Sequence, residues 1–515
     1  MTTARLGSGS ADHDVAVIGA GFAGMAAAHR LLQEGLDVIV FERGHEVGGT
    51  WRDNTYPGAA CDVPSHLYSF SFAPNPHWSR TYSPQPEIQA YLRRCADRLG
   101  VRPHLRLSTE VRATRWDEEM GHWVVETDGG SCTATVVVSA RGPLSEPRAP
   151  DIPGLDRFEG TLFHSARWDH DHRLDGERVA VVGTGASAVQ FVPQIQPLAA
   201  RLHVFQRTAP WVIPRRDRHL TACERAAFGA VPSLQLAVRA GIYWSRELYT
   251  LGFVGSARRR ELAMALPALV ARRHLRRQVA DPDLRAALTP DYQMGCKRIL
   301  ISDDFYPALS APNVELVTAP IAEVGPRAIV TADGVAREVD TLVLGTGFDV
   351  TGGSAPHRVW GRGARTLADA WRGGIGAFRS TTVAGFPNLF LMVGPNAGLG
   401  HTSIVFVIES QVAYLIEAVR TMRRLGLASL EPTDEAQRAW SGEIARCSHQ
   451  TVWTSGGCAS YYLDESGRNI GVWPGSSWSL RRALRRFDLE SYRVERPPTL
   501  VTAAAPPAPA AVGTP

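Results

Sequence analysis

The stretch DVAVIGAGFAGMAAAHRLLQEGLDVIVFER, residues 14–43, decides the fold. An apolar run leads into Gly19-x-Gly21-x-x-Gly24, a helical stretch follows, and a second apolar run ends in Glu42. The glycines allow a tight turn and let the backbone approach a pyrophosphate at the helix N-terminus. Glu42 lies where a carboxylate can accept a ribose hydroxyl. The sequence therefore predicts a Rossmann-like unit that binds an adenine dinucleotide.

The stretch RVAVVGTGASAVQFVPQIQPLAARLHVFQRT, residues 178–208, repeats this pattern with a different ending. Where the first unit has an acid, this one ends in Gln206, Arg207 and Thr208. A carboxylate would repel a 2′-phosphate, whereas a guanidinium and a hydroxyl would bind one, so this unit predicts NADPH rather than NADH. The residues assigned to NADPH in this unit are Gly183, Gly185, Ser187, Arg207 and Thr208.

The segment after Glu42, GGTWRDNTYPGAACDVPSHLYSFSF, predicts FAD as the first dinucleotide. Its two glycines allow the backbone near a flat ring or a phosphate, and its long, aromatic, loop-rich course suits a deeply held flavin better than an exchanging nicotinamide. Near residue 340 the chain carries VDTLVLGTGFDV, which is similar to the closing segment of flavoproteins with two dinucleotides. That similarity implies that Asp349 lies near the ribityl or phosphate part of FAD.

The predicted fold class is therefore α/β, with two Rossmann-like dinucleotide-binding domains, for FAD and NADPH, and a helical insertion. The Ala-, Leu- and Arg-rich insertion is interpreted as having solvated helical faces rather than a nucleic-acid surface. The predicted FAD-binding domain has two parts, 12–146 and 330–490, around an NADPH-binding domain, 147–329, whose helical insertion covers about 217–292. Residues 1–11 and 498–515 are predicted to be disordered.

The composition is that of an ordinary globular protein of 515 residues, with 44% hydrophobic and 21% charged residues. A net charge of +4 is too small to indicate a nucleic-acid partner. No apolar run approaches the roughly 18 residues of a membrane span, and no secretory signal opens the chain. The seven cysteines form no C-x-x-C pair, which argues against a disulfide scaffold or a zinc site and indicates reduced thiols in a cytoplasm. No metal is expected.

The stretch FEGTLFHSARWDHD, residues 158–171, lies between the two glycine turns. It resembles the fingerprint of type I Baeyer–Villiger monooxygenases, and the segments GGTW, YPGAACD, FQRT, CKR and GTGFD match that family in the same order. The sister family that oxygenates heteroatoms usually ends this pattern in Tyr or Phe. The fingerprint residues, interpreted as hinge and linker positions, are Phe158, Gly160, His164, Trp168 and Asp169.

The resemblance implies an NADPH- and O₂-dependent enzyme that inserts one oxygen beside a ketone carbonyl, through a flavin peroxide anion, to give an ester or lactone. Arg298 would hold that anion by a fixed positive charge, and Asp62 would orient the guanidinium. Lys297, the chain's only lysine, would reach the NADPH 2′-phosphate. Trp453 would line the substrate side. The residues implied to contact FAD are Gly19, Gly21, Gly24, Glu42, Gly49, Thr50, Trp51, Asp62 and Asp349.

Three other interpretations stay open. The chain could oxygenate a sulfide or amine, reduce a flavin or disulfide, or bind its nucleotides without catalysis. His401, which precedes a predicted helix, is interpreted as a helix cap or packing residue rather than a catalytic base. The sequence specifies neither the ketone, nor lactone against linear ester, nor the oligomeric state.

Overall fold

The structure, a computed structural model, describes Leu6, residues 11–350 and residues 355–497. The predicted disordered tail, 498–515, and most of the predicted disordered start, 1–11, lie outside the described residues. Leu6 and Ala11 are described and are both buried, and the backbone N–H of Leu6 donates to the carboxylate of Asp14 at 2.8 Å. At these two residues the structure differs from the predicted disorder.

The described residues form twenty strands and fifteen α-helices. The strands are β1 (His13–Ile18), β2 (Val38–Phe41), β3 (Leu105–Arg106), β4 (Val111–Asp117), β5 (His122–Thr127), β6 (Gly130–Ser139), β7 (Thr161–His164), β8 (Arg178–Val182), β9 (Arg201–Phe205), β10 (Val212–Ile213), β11 (Leu300–Ile301), β12 (Val314–Val317), β13 (Ile321–Val324), β14 (Ala328–Thr331), β15 (Ala336–Glu338), β16 (Thr341–Leu344), β17 (Val359–Trp360), β18 (Leu389–Leu391), β19 (Ser429–Pro432) and β20 (Tyr492–Glu495). The helices are α1 (Phe22–Gln33), α2 (Thr50–Asp53), α3 (Gln85–Arg98), α4 (Ala188–Ile195), α5 (Ala222–Ala230), α6 (Pro232–Glu247), α7 (Thr250–Phe253), α8 (Ala257–Gln278), α9 (Pro282–Ala287), α10 (Phe305–Leu309), α11 (Leu367–Ala370), α12 (Ile404–Leu425), α13 (Asp434–Ser448), α14 (Val452–Ser455) and α15 (Ser477–Ala483).

The first sheet contains eight strands, in the order β17-β4-β5-β6-β1-β2-β3, with β18 also paired to β6. Its centre is parallel, because β1 runs parallel to both β2 and β6. The long strand β6 also pairs antiparallel with β5 and parallel with β18. Helices α1 and α12 pack against each other in the core that covers this sheet. The apolar run and helix of residues 14–43 thus form the centre of the first unit.

The second sheet contains five parallel strands, in the order β12-β9-β8-β16-β7. Strand β16 lies between β8 and β7, although it comes after the predicted domain boundary at residue 330. Its four residues are all buried, as expected for a strand covered on both faces. The second unit therefore extends through Leu344. The boundary predicted at residue 330 lies too early, because β16 pairs with β7 and β8 and so belongs to the second sheet.

The predicted helical insertion contains α5 to α9, and part of it packs on the first unit. Asp217 pairs with Arg80 at 2.7 Å, and the Gln235 side chain donates to the Asn75 carbonyl oxygen at 2.7 Å. Helix α6 therefore has a solvated outer face, as predicted, and an inner face that reaches the first unit and, near its C-terminal end, the candidate site.

The chain crosses between the units twice, and the two crossings are hydrogen-bonded to each other. Pro147 and Phe348 form an antiparallel bridge. The Arg148 N–H donates to the Gly347 carbonyl oxygen, and the Asp349 N–H donates to that of Glu146, each at 2.9 Å. The crossings therefore form one short two-stranded ribbon between the first and second sheets.

Two cysteines form a disulfide bond, Cys296 with Cys458, across 162 positions of sequence. The expectation of reduced thiols is wrong for this pair. Gly456, two residues before Cys458, lies against Cys296. A Cβ at position 456 would lie only 2.8 Å from the Cys296 Cβ, so a larger residue would not fit there. The other five cysteines are free thiols. None of the helices in the described residues is long and apolar enough to cross a membrane.

Candidate active site

The first glycine turn follows β1 directly. Gly19 has a φ of +104°, and a Cβ there would lie 2.6 Å from the carbonyl oxygen of Ala140. A Cβ at Gly24 would lie 1.8 Å from the carbonyl oxygen of Gly19, so only glycine fits at these two positions. Gly21 is the N-cap of α1, and no described side chain caps that helix or places an acid in its first turn. Its free N–H groups fit an anionic pyrophosphate.

The second glycine turn has the same geometry. Gly183 has a φ of +110°, and a Cβ there would lie 2.5 Å from the carbonyl oxygen of Gly345. A Cβ at Gly185 would meet no atom within 4 Å, which leaves open space beside the turn. Ser187 precedes α4, and among the described residues no acid occupies the first turn of that helix and no side chain caps it. This turn therefore also fits a pyrophosphate.

Glu42 joins the first turn to the segment that follows β2. Its side chain is 4% exposed and accepts the backbone N–H groups of Ala20 and Gly44, each at 2.8 Å. It also pairs with the guanidinium of Arg52. Since a carboxylate has about four acceptor sites, the group can hold the turn and still accept a ribose hydroxyl.

A cleft of about 540 Å³ opens beside Glu42. Both units contribute to its wall, with Arg43 and Arg52 from the first unit and Arg167 from the segment before β8. Phe348, in the crossing ribbon, closes another side. Its volume lies within the range of natural ligand sites, and its wall carries three arginines together with three carboxylates, Asp53, Glu110 and Asp128.

The GGTW segment returns to the first glycine turn. Gly49 has a φ of +53°, and a Cβ there would lie 3.2 Å from the Cα of Gly21. Thr50 and Trp51 begin the single turn of α2, and the Trp51 ring N–H donates to the hydroxyl of Tyr68 at 3.0 Å. The two glycine segments therefore lie against each other, which fits the FAD assignment of this segment. Asp349 does not belong to this segment; it lies in the crossing ribbon, where its backbone N–H donates to the Glu146 carbonyl oxygen.

Lys297 and Arg207 form a cationic pair beside the second turn. The pKa of Lys297 is lowered, first by burial and then by the nearby charge of Arg207. The Lys297 ammonium lies 5.1 Å from the ring centre of Tyr292. Within the described part of the chain, neither cation forms an ion pair with a carboxylate. The carbonyl oxygen of Thr208 accepts a long hydrogen bond, 3.5 Å, from the hydroxyl of Thr184. Two unpaired cations at one point fit a phosphate group.

The fingerprint residues form the edge strand of the second sheet and its connection. Phe158 packs in the apolar core beside β16. A Cβ at Gly160 would lie 2.2 Å from the carbonyl oxygen of Asp340, so the chain passes closely there. His164 ends β7, and its Nδ1 accepts the Ala166 N–H at 3.1 Å. Burial lowers the pKa of His164, which favours a neutral ring.

The end of the fingerprint packs against α4. The Trp168 ring lies 5.0 Å from the ring of Phe163 and 5.4 Å from that of Phe191. The Asp169 carboxylate accepts the backbone N–H groups of Asp171 and His172. Through these contacts the fingerprint fixes the loop that brings Arg167 to the cleft.

Arg298 and Asp62 form the central ion pair of the candidate site. The guanidinium donates two hydrogen bonds to the carboxylate, at 2.6 and 2.7 Å, and the side chains are 28% and 26% exposed. Burial alone would raise the pKa of Asp62, but the charge and hydrogen bonds of Arg298 lower it. Asp62 in turn raises the pKa of Arg298. The pair is therefore a permanent charge pair at any working pH.

A cavity of about 40 Å³ lies beside this ion pair. It has room for about three water molecules. Its wall combines the charged pair with apolar and aromatic side chains, Ile213, Tyr249, Phe253 and Ile301. A ketone therefore requires side chains to move before it can enter.

Trp453 lies behind this wall rather than in it. The residue is 2% exposed, and its ring lies 5.7 Å from the ring of Phe253 and 6.4 Å from that of Tyr462. Phe253, which contacts Trp453, lines the cavity, whereas Trp453 does not, and a role of Trp453 on the substrate side stays a prediction.

Sequence reasoning missed two contributors to this site and gave a third, His401, only a cap or packing role. Arg246, from the end of α6, lines the cavity and lowers the pKa of Asp62 further. Tyr462 is buried, and burial raises its pKa well above the usual value. His401 lines the cavity and its ring lies 5.8 Å from that of Phe253, so the packing interpretation fits, whereas the cap interpretation is wrong because the N-cap of α12 is Ser403. No local pattern marked Arg246 and Tyr462, because each reaches the site only through tertiary packing.

The chain is similar over nearly its whole length to several known proteins. The family described as "FMO-like: Flavin-binding monooxygenase-like" matches residues 12–221. A "Baeyer-Villiger monooxygenase" of Streptomyces coelicolor is 52% identical over 486 residues, which cover 94% of this chain and 93% of that protein. The crystal structure of cyclohexanone monooxygenase from Rhodococcus sp. Phi1 bound to NADP⁺ superposes with a TM-score of 0.81 at 30% identity, covering 94% of this chain and 99% of the other. The crystal structure of OTEMO in complex with FAD and NADP superposes with a TM-score of 0.83 at 29% identity. The match covers 94% of this chain and 100% of the OTEMO chain.

Proposed function

Since the chain belongs to the Baeyer–Villiger monooxygenases, we propose that it uses NADPH and O₂ to convert a ketone into an ester or lactone. The observation that carries this proposal is the ion pair of Arg298 and Asp62 beside a small cavity with aromatic walls. A fixed cation in a partly desolvated site stabilises negative charge that develops on oxygen.

The two glycine turns would hold two dinucleotides. The first turn, Glu42 and the GGTW segment would hold FAD, and the second turn with its cationic pair would hold NADPH. Bound FAD, once reduced, supplies the activation of O₂ that amino-acid side chains cannot provide. Asp349, which follows Phe348 in the crossing ribbon, would complete the proposed FAD set.

Arg298 would act on the oxygen that attacks the ketone. Its guanidinium cannot lose its proton at working pH, so it supplies positive charge without protonating the attacking oxygen. Asp62 holds the guanidinium by two hydrogen bonds and so limits its rotation. We assign Arg298 as a catalytic residue and Asp62 as its positioning residue.

Lys297 and Arg207 would select NADPH over NADH. Among the described residues, neither cation forms an ion pair with a carboxylate. The pKa of Lys297 is lowered by burial and then by the repulsion between the two cations. A 2′-phosphate relieves that repulsion, whereas a 2′-hydroxyl does not. Thr208 follows directly and adds a hydroxyl to this set.

The fingerprint residues would set the path between the two units. Phe158 and Gly160 fix the start of β7, and Trp168 and Asp169 fix the loop after it. His164 lies at the strand end beside the crossing ribbon, where its ring contacts Phe348. Their role as hinge positions stays a prediction, as does a cytoplasmic location.

Product analysis tests the proposal directly. The purified holoenzyme is supplied with NADPH, air and a panel of cyclic, aryl and linear ketones, and NADPH consumption is compared with product mass. We expect a mass increase of one oxygen in the form of an ester or lactone. A thioether run in parallel separates ketone oxidation from heteroatom oxidation. NADPH consumption that yields only hydrogen peroxide for every ketone would contradict the proposal.

A further inference from the structure

Helix α6 turns its polar side chains toward the protein and its apolar side chains toward solvent. Gln235 and Glu247 are buried, whereas Trp244 is 58% and Leu248 is 66% exposed. Every exposed residue of this helix, all of which the structure describes, is uncharged. A helix on the surface of a water-soluble protein ordinarily has the opposite pattern, with its charged side chains outward. The outer face of α6 is therefore suited to an apolar partner.

Helix α8 adds a second row of exposed apolar side chains. Leu262, Leu266 and Leu269 are 79%, 69% and 61% exposed. They are four and three positions apart, so they lie on one face of the helix. The opposite face is buried and includes Met264 and Leu275. Single exposed leucines are common on soluble proteins, but a row of them on one face indicates an interaction surface. We use the term outer face for the exposed residues of α6, α7 and α8.

Exposed arginines lie at both ends of the leucine row. Six belong to α8, and these are Arg258, Arg259, Arg272, Arg273, Arg276 and Arg277. Within the described part of the chain, none of the six forms an ion pair with a carboxylate, and Glu261 is the only acidic residue in the sequence of this helix. Apolar side chains flanked by cations complement an anionic lipid surface, because the apolar groups enter the boundary between headgroups and acyl chains while the cations stay among the phosphates.

The arginines also argue against two other occupants of the outer face. In a twofold contact between copies, the same patch meets itself. Since α8 has arginines at both ends, either direction of pairing brings arginines together, and such like-charge contacts cost affinity. The segments of this chain outside the described residues, 1–5, 7–10, 351–354 and 498–515, contain no acidic residue, so none of them can neutralise the arginines. An anionic bilayer supplies both the apolar phase and the negative charge.

The outer face and the cavity lie on two sides of the same segment. Between residues 244 and 253, exposed apolar side chains alternate along the chain with side chains that line the cavity. The exposed ones are Trp244, Leu248 and Leu251, and the ones at the cavity are Arg246, Tyr249 and Phe253. A surface that contacts the outer face is therefore separated from the candidate site only by α6 and α7.

We propose that the outer face of α6, α7 and α8 docks on the surface of an anionic phospholipid bilayer. The contact is peripheral, with the leucines and Trp244 at the level of the headgroups and the arginines of α8 on the phosphates. It places the candidate site beside the lipid surface. The docking is independent of the reaction that the site carries out, so it goes beyond the proposed function and does not rest on it.

Vesicle flotation with the full-length holoenzyme tests the docking. Vesicles of equal parts phosphatidylglycerol and phosphatidylcholine are compared with vesicles of phosphatidylcholine alone. We expect the protein to float with the anionic vesicles at low salt, and to bind roughly tenfold less to neutral vesicles or at about 1 M NaCl, where the Debye length falls to about 3 Å. No flotation with anionic vesicles, or equal flotation with both kinds, overturns the inference. Either result leaves the proposed ketone oxidation standing, because flotation does not measure the reaction.

A pair of arginine variants tests the charged part of the outer face. Arg273→Gln combined with Arg277→Gln removes two exposed cations from the leucine side of α8. Each arginine near an anionic surface strengthens binding by about fivefold, so we expect binding to fall by roughly 25-fold. Arg94→Gln combined with Arg98→Gln is the matched control, since it removes two exposed arginines at the same spacing from α3. Equal loss of binding in the two double variants would indicate a general attraction of a cationic protein, and overturns the inference.

A second pair of variants tests the apolar part. Trp244→Ser combined with Leu248→Ser should weaken binding to anionic vesicles by roughly tenfold or more, because less apolar surface leaves water. Met120→Ser combined with Leu198→Ser, at exposed apolar positions outside the helical insertion, is the control and should bind as the wild type does. Unchanged binding in the first double variant overturns the inference.

Sedimentation of the wild type without lipid separates docking from self-association. We expect Trp244→Ser with Leu248→Ser to leave the sedimentation coefficient unchanged. A dimer of the wild type that this double variant dissociates would assign the outer face to a contact between copies, and overturns the inference. If a variant fails to fold, the comparison of anionic with neutral vesicles for the wild type still decides the question.

Discussion

The guanidinium of Arg298 makes a two-point hydrogen-bonded contact with the carboxylate of Asp62 across 236 positions of sequence. One residue comes from the loop before β11, and the other from the loop after α2. The contact therefore joins the second unit to the first unit at the proposed reaction centre. A change at either residue affects both the charge in the cavity and the contact between the units.

Replacing Arg298 by alanine should uncouple NADPH consumption from oxygenation. Without the cation we expect ketone oxygenation to fall by about 100-fold to 1,000-fold, as when one preorganised donor is removed from an oxyanion site. NADPH should still reduce the enzyme, and hydrogen peroxide should be released instead of product. The measurement is product and peroxide per NADPH. Arg298→Lys keeps the charge but not the two-point contact, so its yield of product per NADPH should lie between those of the wild type and Arg298→Ala. Ester formation at the wild-type rate in Arg298→Ala would exclude the residue from the chemistry.

Asp62→Asn should lower stability in a pH-dependent way. The folded-state pKa of Asp62 lies below its usual value of 3.8, so the carboxylate adds stability above that pH and loses it as the pH falls through the folded pKa. For a half-buried pair we expect a loss of about 1–3 kcal/mol in the free energy of unfolding at pH 7. Urea unfolding should show this difference shrink below pH 3.8. Asp175→Asn, at an exposed pair with Arg173, is the control and should change little.

Lys297→Ala and Arg207→Ala should each impair NADPH selectivity. Loss of one charged partner of the 2′-phosphate should raise the KM for NADPH by about 10-fold to 100-fold. The KM for NADH should change little, because NADH has no 2′-phosphate. Steady-state kinetics with both cofactors measure the ratio. Arg112→Ala, an exposed cation on β4, controls for net charge. If both variants have the same KM for NADPH as the wild type, the 2′-phosphate does not bind at Lys297 and Arg207.

Gly24→Ala should reduce the flavin content of the purified protein. The added Cβ would lie 1.8 Å from the Gly19 carbonyl oxygen, so the turn must move before the helix can form. We expect a lower ratio of flavin absorbance to protein absorbance. Gly229→Ala, in α5, where a Cβ would meet nothing within 4 Å, is the matched control and should keep full flavin. Equal flavin content in both variants would contradict the role of the turn.

Cys458→Ser should destabilise the protein only under oxidising conditions. Loss of the bond to Cys296 frees a loop of 162 positions in the unfolded chain, for which loop-closure entropy gives about 5 kcal/mol, and disulfide bonds typically contribute roughly 2–4 kcal/mol. A thiol reductant should lower the melting temperature of the wild type toward that of the variant. Cys223→Ser removes an exposed free thiol and should have no such effect. Non-reducing peptide mapping that finds both cysteines as thiols would refute the bond.

The two glycine turns could be predicted from sequence because their determinants are local. Residues 14–43 contain the strand, the turn and the helix in order, and Gly19, Gly24 and Gly183 are required because backbone atoms lie too close for a Cβ. The sheet assignment of β16 could not be predicted this way. Its apolar run identifies a strand, but its neighbours β7 and β8 lie far earlier in the chain.

The residues of the candidate site also divide into those that could be predicted from the sequence and those that could not. Arg298, Lys297 and Asp62 carry motifs that the family resemblance identified, and the structure brings Arg298 to Asp62 as expected. Arg246 and His401 lie in segments whose sequence has no distinctive spacing, and only the packing of α6 and α12 places them at the cavity. The disulfide bond joins cysteines whose separation gave no sign of their pairing.

The hydrogen-bonded ribbon at residues 146–149 and 346–349 has a consequence for protein engineering. Both ends of the second unit leave the first unit side by side, so the second unit could be exchanged through two neighbouring splices if the graft kept the disulfide of Cys296 with Cys458 and the ion pair of Arg298 with Asp62. A graft from another member of the family would need two splices at a single location. The helices that carry Arg246 and Phe253 would travel with the second unit, so a swap made to change the coenzyme would also change which substrates enter.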